Sequence, residues 1–100
     1  MKCESLEEVR GNIDRIDEEI IKLIAERSTY VAEAARFKKN SDEVKAPQRL
    51  EEVINKVRNL AMDNNVNPDI IEKVYRELID CFINFELAEH NRRIDKKEEF

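Results

Sequence analysis

Residues 5–39 read SLEEVRGNIDRIDEEIIKLIAERSTYVAEAARFKK. Among their apolar members, Leu6, Val9, Ile13, Ile16, Ile20 and Leu23 recur at steps of three and four, the spacing of one helix face, and after a gap of seven Tyr30, Ala34 and Phe37 resume it. Ser5-Leu6-Glu7-Glu8 opens the run as an S-x-x-E capping box. Gly11 is the one weak helix former inside it, and it sits near the start, where it is tolerated. The pattern predicts a single helix from about Leu6 to about Lys39, ~50 Å long at 1.5 Å per residue.

Downstream, Asn40-Ser41-Asp42-Glu43-Val44-Lys45 loses the period and is expected to be a polar loop. Pro47 suits a first helical turn, and Leu50, Val53, Ile54, Val57 and Leu60 carry a second, short amphipathic helix ending near Asn64-Asn65. Asn67-Pro68-Asp69 then supplies an N-cap, a first-turn proline and an acidic first turn for a third helix of medium length. Its apolar positions are Ile71, Val74, Tyr75, Leu78, Ile79, Phe82, Ile83 and Phe85, and the charged stretch from Arg92 to Phe100 is expected to fray. The fold class is therefore all-α: one domain over residues 1–100, with its core at about 5–92.

Composition agrees with that outline. The 100 residues include 18 Lys or Arg, 23 Asp or Glu, one His, one Gly and two Pro, for a net charge of −5. So little Gly and Pro excludes a turn-rich β-sandwich or a Gly-rich nucleotide fold. The acidic balance argues against nucleic-acid or membrane-surface partners. No apolar run approaches the ~20 residues of a membrane span. Met1-Lys2-Cys3-Glu4 shows no signal core, and Cys3 and Cys81 have no framework spacing, so a cytoplasmic protein with reduced thiols is expected.

Length then raises a geometric difficulty. A compact 100-residue chain has a radius of gyration of only ~13 Å, whereas the first helix alone spans ~50 Å. The two shorter helices cannot cover its whole seam. A second copy removes the difficulty, so the three helices are expected to build an intertwined homodimeric bundle.

A few charged residues interrupt the apolar pattern. Arg27 occupies the seam between Leu23 and Tyr30, where a snorkelling side chain is the ordinary explanation. Glu86 lies in the apolar run Cys81-Phe82-Ile83-Asn84-Phe85-Glu86-Leu87, where an ion pair with Arg27 or a rim position would account for it. Lys38 is 11 residues beyond Arg27, on the same face at ~16 Å if the helix continues; a solvated helix-end lysine is the plain alternative. Arg10, on the same helix, is an ordinary exposed arginine by itself. Together the set implies cations and one carboxyl around an interior cleft, with a small polyanion to pair the surplus charge. His90 is the only histidine, so a metal set or a Ser-His-Asp triad has nothing to build on. Concerted chemistry that needs only positioning and electrostatics, with no metal and no cofactor, fits that inventory.

The runs Val9-Arg10-Gly11-Asn12-Ile13-Asp14-Arg15-Ile16-Asp17, Ala25-Glu26-Arg27 and Arg36-Phe37-Lys38 resemble the all-α chorismate mutases, including the branch of isochorismate pyruvate lyases. Ala46-Pro47-Gln48-Arg49 is similar to that branch. The resemblance implies two equivalent sites in the dimer. Arg27 and Arg10 would each hold a substrate carboxylate, with Arg10 reaching in from the partner subunit. Lys38 would donate to the ether oxygen of the breaking C–O bond. Glu86 stands where many relatives have Gln, the second donor, and it can donate only when protonated. Arg49 would be a further substrate-binding residue; Leu50 follows it where many mutases carry a carboxylate, which leans toward the lyase branch. The implied activity is rearrangement of chorismate to prephenate in aromatic amino-acid biosynthesis. The alternative is lysis of isochorismate to salicylate and pyruvate, and a third reading is a non-catalytic helical dimerisation or regulatory module. With no further domain visible, feedback control within the chain is not expected.

Overall fold

The computed structural model describes the backbone of residues 2–98 and the side chains of residues 2–92. Helices are the only regular structure among the described residues: α1 Leu6–Ala35, α2 Ser41–Lys45, α3 Pro47–Asp63 and α4 Pro68–Glu98. By their internal contacts they fall into two compact units, Met1–Ala34 and Ala35–Phe100.

The first unit is nearly all of α1. Its start follows the sequence: Ser5 Oγ accepts from the Glu8 amide at 3.1 Å. The Glu8 carboxylate reaches back one residue further than the usual box and accepts from the Glu4 amide at 3.0 Å. No residue of α1 is buried; on the predicted seam Ile13 is 50% and Leu23 63% exposed. A methyl group at Gly11 would meet nothing within 4 Å. Gly11→Ala is therefore expected to stabilise the protein by about 1 kcal/mol, the propensity difference alone, read as a higher urea midpoint at unchanged slope.

Two expectations for this region are corrected. α1 stops at Ala35 rather than near Lys39, leaving Phe37 exposed and Lys38 off the helix, so the shared helix face with Arg27 does not exist. Residues 41–45, expected to be a loop, form α2. Asn40 caps it through a 2.9 Å bond from the Glu43 amide, and the Glu43 carboxylate accepts from the Lys39 amide.

In the second unit α3 and α2 each pack on α4. The buried apolar residues are Val44 of α2 and Ile54, Val57 and Ala61 of α3. The α3 trio is spaced three and four apart, so one stripe of the helix faces inward. Leu60, placed on that face by its spacing, is exposed and Ala61 takes the position. Of the apolar positions expected on α4, Ile71, Tyr75, Leu78, Ile79, Phe82 and Ile83 are half-buried, whereas Val74 and Phe85 are exposed.

Turn chemistry connects the elements. Ala46 joins α2 to α3 in the left-handed region at φ 37°, with Pro47 opening α3. At the end of α3, Asn65 adopts φ 59°, the Val66 amide bonds to Ala61 O at 2.9 Å and the Asn65 amide to Met62 O at 3.2 Å. That is a Schellman termination, with asparagine at the left-handed position. Asn67 Oδ1 then accepts from the Asp69 amide at 2.9 Å and caps α4. α4 runs on through Glu98 rather than fraying at Arg92, and residues 99–100 of the expected frayed tail lie outside the described residues.

Charges lace α3 to α4 along their outer edge. Arg58 bonds to Asp69 at 3.0 Å and Glu72 at 2.8 Å, and Arg76 bonds to Glu72 at 2.8 Å and reaches Glu51 at 3.4 Å. The Arg76 guanidinium, then that of Arg58, holds the Glu72 carboxyl below its ordinary value. These pairs are partly exposed and serve register more than stability.

Candidate active site

Glu86 is the one buried charged residue among those described, at 7% exposure. α4 places it one turn beyond Phe82 and Ile83, on the half-buried face of the helix. A carboxylate taken that far from water needs a charged partner. Lys38 supplies it: Nζ donates to Glu86 Oε2 at 3.1 Å, and the lysine side chain is 23% exposed. The amide of Lys38 donates to Ala35 O at 3.2 Å in the turn that closes α1. A lysine ammonium carries three N–H donors, so one bond to Glu86 leaves two for an incoming acceptor. The ion pair considered from sequence between Glu86 and Arg27 is thus made by Lys38.

Arg27 belongs to the first unit. Its Nη1 is buried with no hydrogen-bond partner among the described residues. An unsatisfied charged donor is destabilising by ~1–3 kcal/mol or more, and a bound anion would relieve that. Arg10 is exposed on α1, ~25 Å along the axis from Arg27 at 1.5 Å per residue. Arg49 opens α3 as an exposed side chain within 3.5 Å of Glu52. The structure therefore brings together Lys38 and Glu86 and leaves Arg10 and Arg49 on the surface.

Other chemistry has less to work with. A groove of about 520 Å³ between α3 and α4, lined by Leu50, Ile79, Ile83, Lys73 and Arg76, includes neither Lys38 nor Glu86. Cys81 is exposed, and its hydrogen bond to Glu77 pushes the thiol up, which disfavours the nucleophilic thiolate. Among the described residues no group of three or more His, Cys, Asp or Glu could hold a metal ion. No described helix is long and apolar enough to cross a membrane.

Sequence reading missed α2, the short helix that follows Lys38. The signal was present as Asn40-x-x-Glu43, a capping pattern ahead of a five-residue helix with one apolar member, Val44.

The family described as chorismate mutase type II matches residues 9–87, a span holding Arg10, Arg27, Lys38, Arg49 and Glu86. A chorismate mutase of Methanocaldococcus jannaschii is 33% identical over 95 residues, covering 94% of this chain and 87% of that protein. An isochorismate pyruvate lyase of Pseudomonas aeruginosa is 30% identical, covering 81% of this chain and 80% of the relative. A bifunctional chorismate mutase/prephenate dehydratase of Aquifex aeolicus is 32% identical over 83% of this chain, which corresponds to only 24% of that longer protein. With its all-helical fold and a match over most of its length, the chain belongs to the chorismate mutase type II family.

Proposed function

We propose that the protein is a chorismate mutase, rearranging chorismate to prephenate as a step of aromatic amino-acid biosynthesis. The observation that carries the reading is the Lys38–Glu86 pair, 3.1 Å apart and largely withdrawn from solvent in a member of this family. The reaction breaks the ether C–O bond and forms a C–C bond in one concerted step. Nothing is oxidised, and no external acid or nucleophile is consumed. A protein accelerates such a step by holding the diaxial, chair-like conformer and by stabilising negative charge on the ether oxygen. Lys38 is one donor to that oxygen, and Glu86, whose carboxyl donates only when it carries a proton, is the other. Arg27, whose buried Nη1 has no hydrogen-bond partner among the described residues, clamps one substrate carboxylate. Arg10 of the partner subunit takes the other, and Arg49 is a further substrate-binding residue.

The exposed apolar seam of α1 supports a homodimer as the working form, with residues 1–100 acting as one domain. The expected result is complementation. Arg10→Ala and Arg27→Ala are each inactive as homodimers. Mixed one to one and allowed to exchange, they recover activity. About a quarter of all sites become competent, half the dimers being mixed and each mixed dimer having one intact site. No recovery, or a folded and active monomer by sedimentation, contradicts the shared site.

A second reading, isochorismate pyruvate lyase, is favoured by Leu50, which follows Arg49 and offers no carboxylate to a substrate hydroxyl. It would use the same donors for a concerted hydrogen transfer giving salicylate and pyruvate. The test is incubation with chorismate and isochorismate separately, with identification of products. Prephenate from the first supports the mutase, salicylate from the second the lyase. Turnover of neither leaves a helical binding module.

A further inference from the structure

We propose that Glu43 is a positioning residue for Lys38, an inference that rests on the donor role given to Lys38 above. Lys38 lies between the end of α1 at Ala35 and the start of α2 at Ser41, so no helical backbone sets the direction of its side chain. A lysine stem has many rotamers, and a donor that must meet one oxygen gains from a fixed base. Two backbone bonds provide it. On the N-terminal side the Lys38 amide donates to Ala35 O at 3.2 Å. On the C-terminal side the Lys39 amide, which shares a peptide plane with the Lys38 carbonyl, donates to the Glu43 carboxylate.

Glu43 is itself held. Its amide donates to Asn40 Oδ1 at 2.9 Å, and the Val44 amide donates to Asn40 O at 3.2 Å. Val44 is 3% exposed, and α2 packs against α4, the helix that carries Glu86. The Lys38 segment is thus registered to α4 twice: through α2 at one end and through Nζ on Glu86 at the other. Glu43 is the link between the two. As an exposed side chain bonded to backbone among the described residues, it tolerates replacement without disturbing the core.

Two measurements test this. In kinetics, Glu43→Ala is expected to lower kcat about tenfold through misplacement of the donor, with KM changed less than about twofold. Glu43→Gln, whose amide oxygen accepts the same bond, restores most of the rate. In a Lys38→Ala background Glu43→Ala has no further effect, because the two act through one group. A full Glu43→Ala loss in that background overturns the proposal. The second measurement needs no turnover: amine acylation of the substrate-free protein, followed at Lys38 by mass spectrometry with exposed Lys56 as internal reference. Lys38, paired with Glu86, reacts slowly in the parent and several-fold faster in Glu43→Ala. Equal Lys38 rates in the two proteins overturn the proposal. Faster labelling in Glu43→Ala, when the parent turns over neither substrate, overturns the functional reading while upholding the hold of Glu43 on Lys38.

Discussion

Lys38→Ala is expected to lose at least about 100-fold in turnover of chorismate, equivalent to ~3 kcal/mol of transition-state stabilisation. The size follows from the donor role proposed for the side chain. A preorganised ammonium beside a breaking ether bond meets charge that exists only in the transition state, so its loss falls on kcat. Sequence alone placed Lys38 at a helix end, where its removal would hardly affect stability. The geometry changes that expectation. Nζ is 3.1 Å from a carboxylate that is 7% exposed, so the alanine variant strands Glu86 without its partner. Breaking a fully buried pair costs ~3–5 kcal/mol; with the lysine 23% exposed, water can reach the gap, and a loss of ~1–2 kcal/mol is expected. Adding Glu86→Gln to Lys38→Ala separates the two effects. The neutral amide needs no counter-charge, so the urea midpoint recovers while turnover stays low. Near-parental kcat in Lys38→Ala would remove Lys38 from the reaction.

Local chemistry was legible where it is short-ranged. Ser5, Pro47 and Asn67-Pro68 each announce a helix start because cap and first-turn geometry involve only neighbours within three residues, and all are realised. The end of α1 was not legible. Ala34 and Phe37 prolong the three-four spacing past Ala35, yet Phe37 is exposed and contributes no burial to extend the helix. The competing Asn40 cap and the turn bond from Lys38 to Ala35 O take the backbone instead. α2 escaped because five residues are too few for periodicity to register, and its stability rests on one buried residue, Val44. The candidate site was half legible. Arg27, Lys38 and Glu86 stood out as charges in apolar settings, which is a local property. Which of them meet is a matter of packing between residues 48 positions apart, and no spacing rule reaches that far. The pairing of Glu86 with Lys38 rather than Arg27 therefore emerged only from the fold.

That pairing also sharpens what Glu86 must do. In the structure its Oε2 accepts from Lys38, so the second-donor role proposed for it needs an O–H on this carboxyl in the substrate complex, aimed at the ether oxygen. Glu86→Gln keeps the shape and carries a permanent N–H donor, so it is expected to hold turnover at or above that of the parent. Glu86→Ala removes the donor and opens a space beside Lys38, so it is expected to lose about 100-fold or more. The measurement is kcat for the three proteins on chorismate, with folding checked by circular dichroism. A Gln variant as slow as the Ala variant would remove Glu86 from the donors, and it would then serve only to hold Lys38 in place.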